Sequence, residues 1–156
     1  MKITVLGAGA WGTALSRLLQ HADHDVTLWG YDHQALKDIR QTGRNDRYLP
    51  GIELPNEVVL ESDMTRAVAG SECVVIAVPS KGFREVAKGL GRYDGLIVSV
   101  TKGIEYETGL TMCGILAKLI PHESARKRRI DRALLFPGQW AGPGPGRFNA
   151  FGFPGG

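Results

Sequence analysis

The chain has 156 residues, 43% of them hydrophobic, and a formal charge of +3, which suits one domain burying roughly two thirds of the surface its unfolded chain exposes and leaves no room for a second full domain. No apolar run approaches the ~20 residues of a membrane span, and the N-terminus lacks a signal peptide's charged start and cleavage site, so a cytoplasmic location is expected. The surplus positive charge sits in one block, Arg126-Lys127-Arg128-Arg129 with Arg132, which reads as a solvated segment rather than the distributed basic face of a nucleic-acid binder.

In chain order, the apolar run Ile3-Thr4-Val5-Leu6 reads as a buried strand. It turns through Gly7-Ala8-Gly9-Ala10-Trp11-Gly12 into an amphipathic helix starting near Thr13. This is a dinucleotide-binding fingerprint in its proper context. Gly7 permits the tight turn, Gly9 lets the backbone approach a pyrophosphate, and Gly12 lets the helix pack closely on the strand. The helix N-terminus then favours an anion through its unpaired N–H groups and its dipole.

Asp25 to Trp29 reads as a second strand completing a βαβ unit. Asp32, twenty positions after Gly12, has two readings: an acceptor for the adenosine ribose of NAD, or the N-cap of the helix His33 to Arg40. Val58 to Leu60 reads as a short strand, and Asp63 to Ala69 as a helix capped by Ser62, with Gly70 past its end. Cys73 to Val78 is wholly apolar with several β-branched residues, the best candidate for a central parallel strand. A helix over Arg84 to Leu90, a strand over Leu96 to Ser99 and a helix over Leu110 to Ile120 follow. The alternation predicts an α/β fold, a Rossmann-type doubly wound parallel sheet. Cys73 and Cys113 lack metal-ligand or redox-motif spacing and are expected as buried, reduced thiols.

Ligands of such sheets sit outside the carboxyl ends of the strands. Three loops there stand out: Gly7 to Gly12, Pro79-Ser80-Lys81, and Thr101-Lys102-Gly103. Lys102 puts a mobile cation beside a glycine turn, suited to holding a phosphate or polarising a carbonyl, and it also reads as an ordinary exposed loop lysine. No metal site, Ser-His-Asp order or catalytic carboxylate pair is apparent, and His21, His24, His33 and His122 read as surface residues near helix ends.

The segments Gly7 to Ala14, Val26 to Gly30, Arg47-Tyr48-Leu49-Pro50-Gly51, Ala77 to Ser80 and Thr101-Lys102-Gly103-Ile104-Glu105 resemble bacterial NAD(P)-dependent glycerol-3-phosphate dehydrogenase, in order and spacing, from Met1 to about Pro121. The resemblance implies hydride transfer between a nicotinamide cofactor and dihydroxyacetone phosphate or sn-glycerol 3-phosphate, in glycerophospholipid synthesis. It also implies that Ala10 and Trp11 lie against the cofactor beside Gly7, Gly9 and Gly12. Tyr31 and Asp32 would stand near the adenosine ribose, Tyr48 and Pro79 would line the cofactor site, and Lys102 would contact cofactor and substrate. The family commonly carries Arg or His at position 31. Tyr31 in its place, with Asp32 beside it, predicts NADH in preference to NADPH.

After Pro121 the resemblance ends, before the family's helical domain with its catalytic lysine, so no catalytic residue is assigned. Residues 1–136 are expected as the cofactor-binding domain, with Ala133-Leu134-Leu135 resembling the family's final strand. Eleven of the twenty residues from Pro137 to Gly156 are Gly or Pro, a composition expected to be disordered. Codons for Phe136 to Gln139, read from the last base of the Phe codon, can encode Ser-Gly-Pro. This raises a one-base frameshift as one account of residues 137–156, and a natural truncation as the other. The chain alone is expected to be near background in activity and to self-associate through uncovered apolar surface. Other readings are a non-catalytic dinucleotide-binding module, a partner for a separately encoded helical domain, and a related dehydrogenase of another hydroxy or keto acid.

Overall fold

A computed structural model describes residues 1–120. The basic block at 126–132, the expected strand at 133–135, the Gly/Pro-rich stretch 137–156 and His122 lie outside the described residues. Ten elements alternate along the rest: β1 (Lys2–Leu6), α1 (Ala10–His21), β2 (Asp25–Trp29), α2 (His33–Thr42), β3 (Val59–Glu61), α3 (Met64–Val68), β4 (Cys73–Ile76), α4 (Ser80–Gly89), β5 (Leu96–Ser99) and α5 (Met112–Leu119). The strands form one five-stranded sheet in the order β3-β2-β1-β4-β5, and every pairing is parallel. The order reverses between β1 and β4, the switch point of a doubly wound sheet.

Successive side chains of a strand point to opposite faces, so a strand buried on both sides supplies two cores. On β1, Ile3 and Val5 pack with Val26, Leu28, Leu36 and Ile39. Leu6 instead packs with Val74, Ile76, Phe83, Ile115 and Leu116. One face thus carries α2 with Leu15 and Leu19 of α1, and the other carries α3, α4 and α5. Thr4, fully buried on β1, satisfies its hydroxyl by donating to the Ala67 carbonyl at 2.6 Å, as burial of a polar group demands.

Several boundaries differ from the sequence expectation, each for a local reason. β4 ends at Ile76 rather than Val78, yet it lies inside the sheet between β1 and β5, while β1 takes the middle. α1 begins at Ala10, three residues before Thr13, because Gly9 is extended and its carbonyl accepts the Thr13 N–H at 3.0 Å. α4 begins at Ser80, so Ser80 and Lys81 belong to its first turn, with Pro79 as N-cap at φ −57°; proline's fixed φ is already suited to a helix start. α3 is capped by Asp63 and not by Ser62: the Asp63 carboxylate accepts from the Arg66 N–H, while the Ser62 carbonyl accepts from the Trp29 indole. Cys73 is buried and reduced as expected, but Cys113 is only half-buried, since Met112, Ile115 and Leu116 define the inward stripe of α5. His21 and His33 are exposed at helix ends, and His24 is half-buried.

Phe83 is the largest fully buried side chain and joins α4 to the sheet. Truncating Phe83→Ala is expected to cost about 3–5 kcal/mol, read as a lowered urea midpoint with an unchanged slope.

Candidate functional site

The carboxyl ends of β1, β4 and β5 bring the three singled-out loops together. Leaving β1, Gly7 donates its N–H to the Trp29 carbonyl at 2.9 Å and adopts φ +122°. A Cβ at Gly7 would lie 2.6 Å from the Ala77 carbonyl oxygen, and one at Gly12 would lie 1.8 Å from that of Gly7. Strand, turn and helix therefore meet at a spacing only glycine allows. At Gly9 the contrast is complete: nothing lies within 4 Å of the Cβ position. The turn is closed where it faces the protein and open where it faces out. α1 begins there without a side-chain cap and without an acidic residue in its first turn, so its positive end is not neutralised by its own side chains. Ala10 and Trp11 are exposed on that first turn, Trp11 to 50%.

The loops after β4 and β5 are joined by Thr101, whose hydroxyl donates to the Val78 carbonyl at 2.7 Å. Gly103, at φ +106°, packs against Ser80 with 3.7 Å at its Cβ position. Pro79 and Lys102 are thereby set side by side along the sheet edge, both exposed. The segment after Lys102 is locked to α4 by a fork: Arg84 Nε and Nη2 donate to the two Glu105 oxygens, each at 2.6 Å. Thr108 also donates to Glu105. First the Arg84 fork and then the Thr108 hydroxyl hold the Glu105 carboxyl down at about 2.

At the end of β2, Tyr31 is 80% exposed. Asp32 does cap α2, its Oδ1 accepting from the Gln34 and Ala35 N–H groups at 3.0 Å each. Its Oδ2 faces the Arg47 guanidinium at 3.3 Å. The cap to Ala35 foremost, with that guanidinium, lowers the Asp32 pKa. Capping thus occupies only one of the two oxygens, so both sequence readings of Asp32 stay compatible with one geometry. Arg47 in turn stacks over the Tyr48 ring, 5.2 Å from its centroid.

Asn45 is the residue that sequence reasoning missed. It is buried to 2% exposure. Its side-chain amide donates to the Ala8 carbonyl at 3.0 Å and to the Thr13 hydroxyl at 2.7 Å, while its backbone carbonyl accepts from the Tyr48 and Leu49 N–H groups. One side chain therefore pins the Arg47-Tyr48 loop to the glycine turn. Its only signal in sequence was an Asn two residues before Arg47, with no periodicity to mark it as buried.

A 3-2-1-4-5 parallel sheet with a glycine turn leading into α1 defines a Rossmann-type dinucleotide-binding domain. The chain belongs to the family described as NAD-dependent glycerol-3-phosphate dehydrogenase N-terminus, which matches residues 2–127. It is 40% identical over 124 residues to a glycerol-3-phosphate dehydrogenase (NAD(P)+) of Chlorobium phaeobacteroides, covering 78% of this chain and 37% of that relative. A protein of the same name from Anaeromyxobacter sp. is 43% identical over the same shares. A solved glycerol-3-phosphate dehydrogenase of Coxiella burnetii superposes with a TM-score of 0.71 at 30% identity, over 76% of this chain and 37% of that one. The chain thus spans 37% of the length of these relatives.

Two measurements follow from this geometry. Asn45→Ala leaves the Ala8 carbonyl and the Thr13 hydroxyl without their shared donor, and is expected to cost about 1–3 kcal/mol in chemical denaturation. The depressed Glu105 pKa makes its contribution to stability complete above the ordinary carboxylate value of 4.5 and lost as pH falls toward about 2. Glu105→Gln is therefore expected to flatten the pH dependence of the melting temperature across that window.

Proposed function

We propose that residues 1–120 form the cofactor-binding domain of a glycerol-3-phosphate dehydrogenase, taking NAD or NADP across the carboxyl edge of the sheet. The observation that carries this reading is the turn itself: closed at Gly7 and Gly12, open at Gly9, at the uncapped start of α1. A pyrophosphate lies against the Gly9 backbone and the first turn of α1, with Ala10 and Trp11 beside it. The adenosine ribose reaches Tyr31 and Asp32, and Tyr48 closes over the cofactor. Pro79 and Lys102 border the nicotinamide end. When bound, the cofactor supplies or accepts the hydride that interconverts dihydroxyacetone phosphate and sn-glycerol 3-phosphate.

Lys102 is the substrate-side cation of this proposal. Its ammonium sits at an exposed loop position, where it favours the substrate's negative charge. NADH is preferred to NADPH, because Tyr31 brings no charge and Asp32 brings a negative one. The glycine geometry supports dinucleotide binding in this domain, whereas turnover draws on proton-transfer chemistry assigned to none of these residues. Self-association of the chain is also proposed, with Ile104 and Tyr106, 62% and 99% exposed, among its apolar contacts.

Titration of the purified chain with NADH by calorimetry is expected to give saturable, one-to-one binding, and Gly9→Ala to weaken it about tenfold or more. Gly9→Ala should leave stability within about 0.5 kcal/mol, since its methyl enters open space. Absence of binding overturns the reading. With dihydroxyacetone phosphate added, NADH absorbance is expected to fall no faster than background.

A further inference from the structure

We propose that Arg47 is the specificity-determining residue at the ribose end of the site, the cation that meets a 2′-phosphate and lets the chain bind a phosphorylated dinucleotide as well as an unphosphorylated one. The inference deepens the dinucleotide reading above and rests on it. At the end of β2, position 31 is an uncharged tyrosine, so the strand end itself supplies no cation. The structure supplies one from elsewhere in the chain: the Arg47 guanidinium stands 3.3 Å from Asp32 Oδ2, the carboxylate oxygen left over from capping α2. A ribose 2′-hydroxyl that donates to Asp32 must therefore arrive beside Arg47.

Three further observations fit this role. Arg47 is 66% exposed at its side chain, so its planar fork can turn from Asp32 to a phosphate without unfolding anything. Its backbone cannot drift away, because Asn45 fastens the same loop to the glycine turn that would hold the pyrophosphate. The Tyr48 ring supports the guanidinium from one side, which limits the orientations it must give up on binding.

Asp32 and Arg47 then act as opposed halves of one selector. With a 2′-hydroxyl, Asp32 accepts a hydrogen bond and Arg47 stays paired with the carboxylate. With a 2′-phosphate, Arg47 makes charge-assisted hydrogen bonds while Asp32 repels. The balance leaves NADH favoured and NADPH bound, and it assigns the residual NADPH affinity to Arg47.

Calorimetric titration of the full chain with NADH and with NADPH tests this without any turnover. Wild type is expected to bind both. Arg47→Gln is expected to weaken NADPH about tenfold while changing NADH less than about threefold, since one charge-assisted contact is lost only with the phosphate. Arg47→Lys, which keeps the charge without the fork, should fall between them. Asp32→Asn keeps a capping oxygen and is expected to tighten NADPH relative to NADH. Equal losses for both nucleotides, or no loss for NADPH, on Arg47→Gln overturn the proposal, as does a wild type that binds NADH but not NADPH. A wild type that binds neither overturns the dinucleotide reading, and this inference with it.

Discussion

The approach of α1 to the end of β1 sets the geometry on which the rest of the site depends. Gly7 and Gly12 stand so close that a methyl on Gly12 would lie 1.8 Å from the Gly7 carbonyl oxygen, and a methyl on Gly7 would strike the Ala77 carbonyl just past the end of β4. The helix can therefore begin immediately over the strand end only because both side chains are absent. Moving α1 outward to admit a methyl on Gly12 would displace the helix start from the switch point between β1 and β4. The same closeness leaves Gly9 facing outward with nothing near it, which is the property an incoming phosphate requires.

A second constraint extends this geometry sideways. The loop between α2 and β3 has little regular structure of its own, yet it carries Arg47 and Tyr48. Asn45 resolves that difficulty by donating two hydrogen bonds to the first turn and accepting two from its own loop. A buried amide nitrogen with both of its N–H groups engaged favours one arrangement, because another would leave a donor unpaired in the interior. Asp32 performs a related double task, one oxygen to the α2 backbone and the other to Arg47. Loop, helix start and strand end are thus coupled through two polar side chains, beside the apolar packing of Ala8, Leu36 and Leu54.

The central strands were legible in the sequence because they are buried on both faces, and a run such as Cys73-Val74-Val75-Ile76 has few other interpretations. β2 and β5 were read to the residue. Helix starts were less legible. Gly9 and Pro79 are residues that sequence reading assigns to loops, and they serve as the N-terminal boundaries of α1 and α4. Ser62 and Asp63 are adjacent and both are good caps by type, and it is Asp63 whose side chain accepts from the Arg66 N–H and whose carbonyl accepts from the Ala67 N–H. Tyr31, Asp32, Tyr48, Pro79 and Lys102 were singled out through spacing and resemblance. Asn45 and the Arg47 to Asp32 pairing were not, because both join positions distant in sequence through side chains that no local pattern marks.

Lys102 shows how this edge combines a rigid base with a mobile charge. On one side Thr101 donates to the β4 loop, and on the other Glu105 is held in the Arg84 fork. The backbone between them is fixed, with Gly103 taking the left-handed conformation the turn requires. The lysine side chain itself is exposed. Ordering such a side chain costs up to about 2 kcal/mol, and ordering its backbone as well would add about 1–2 kcal/mol for each residue fixed. The Arg84, Glu105 and Thr101 contacts meet that backbone cost during folding, so that only the four-carbon stem need be ordered when an anionic ligand arrives. If Lys102 binds an anion as proposed above, an Arg84 variant would therefore weaken that binding through the backbone, without touching the ligand.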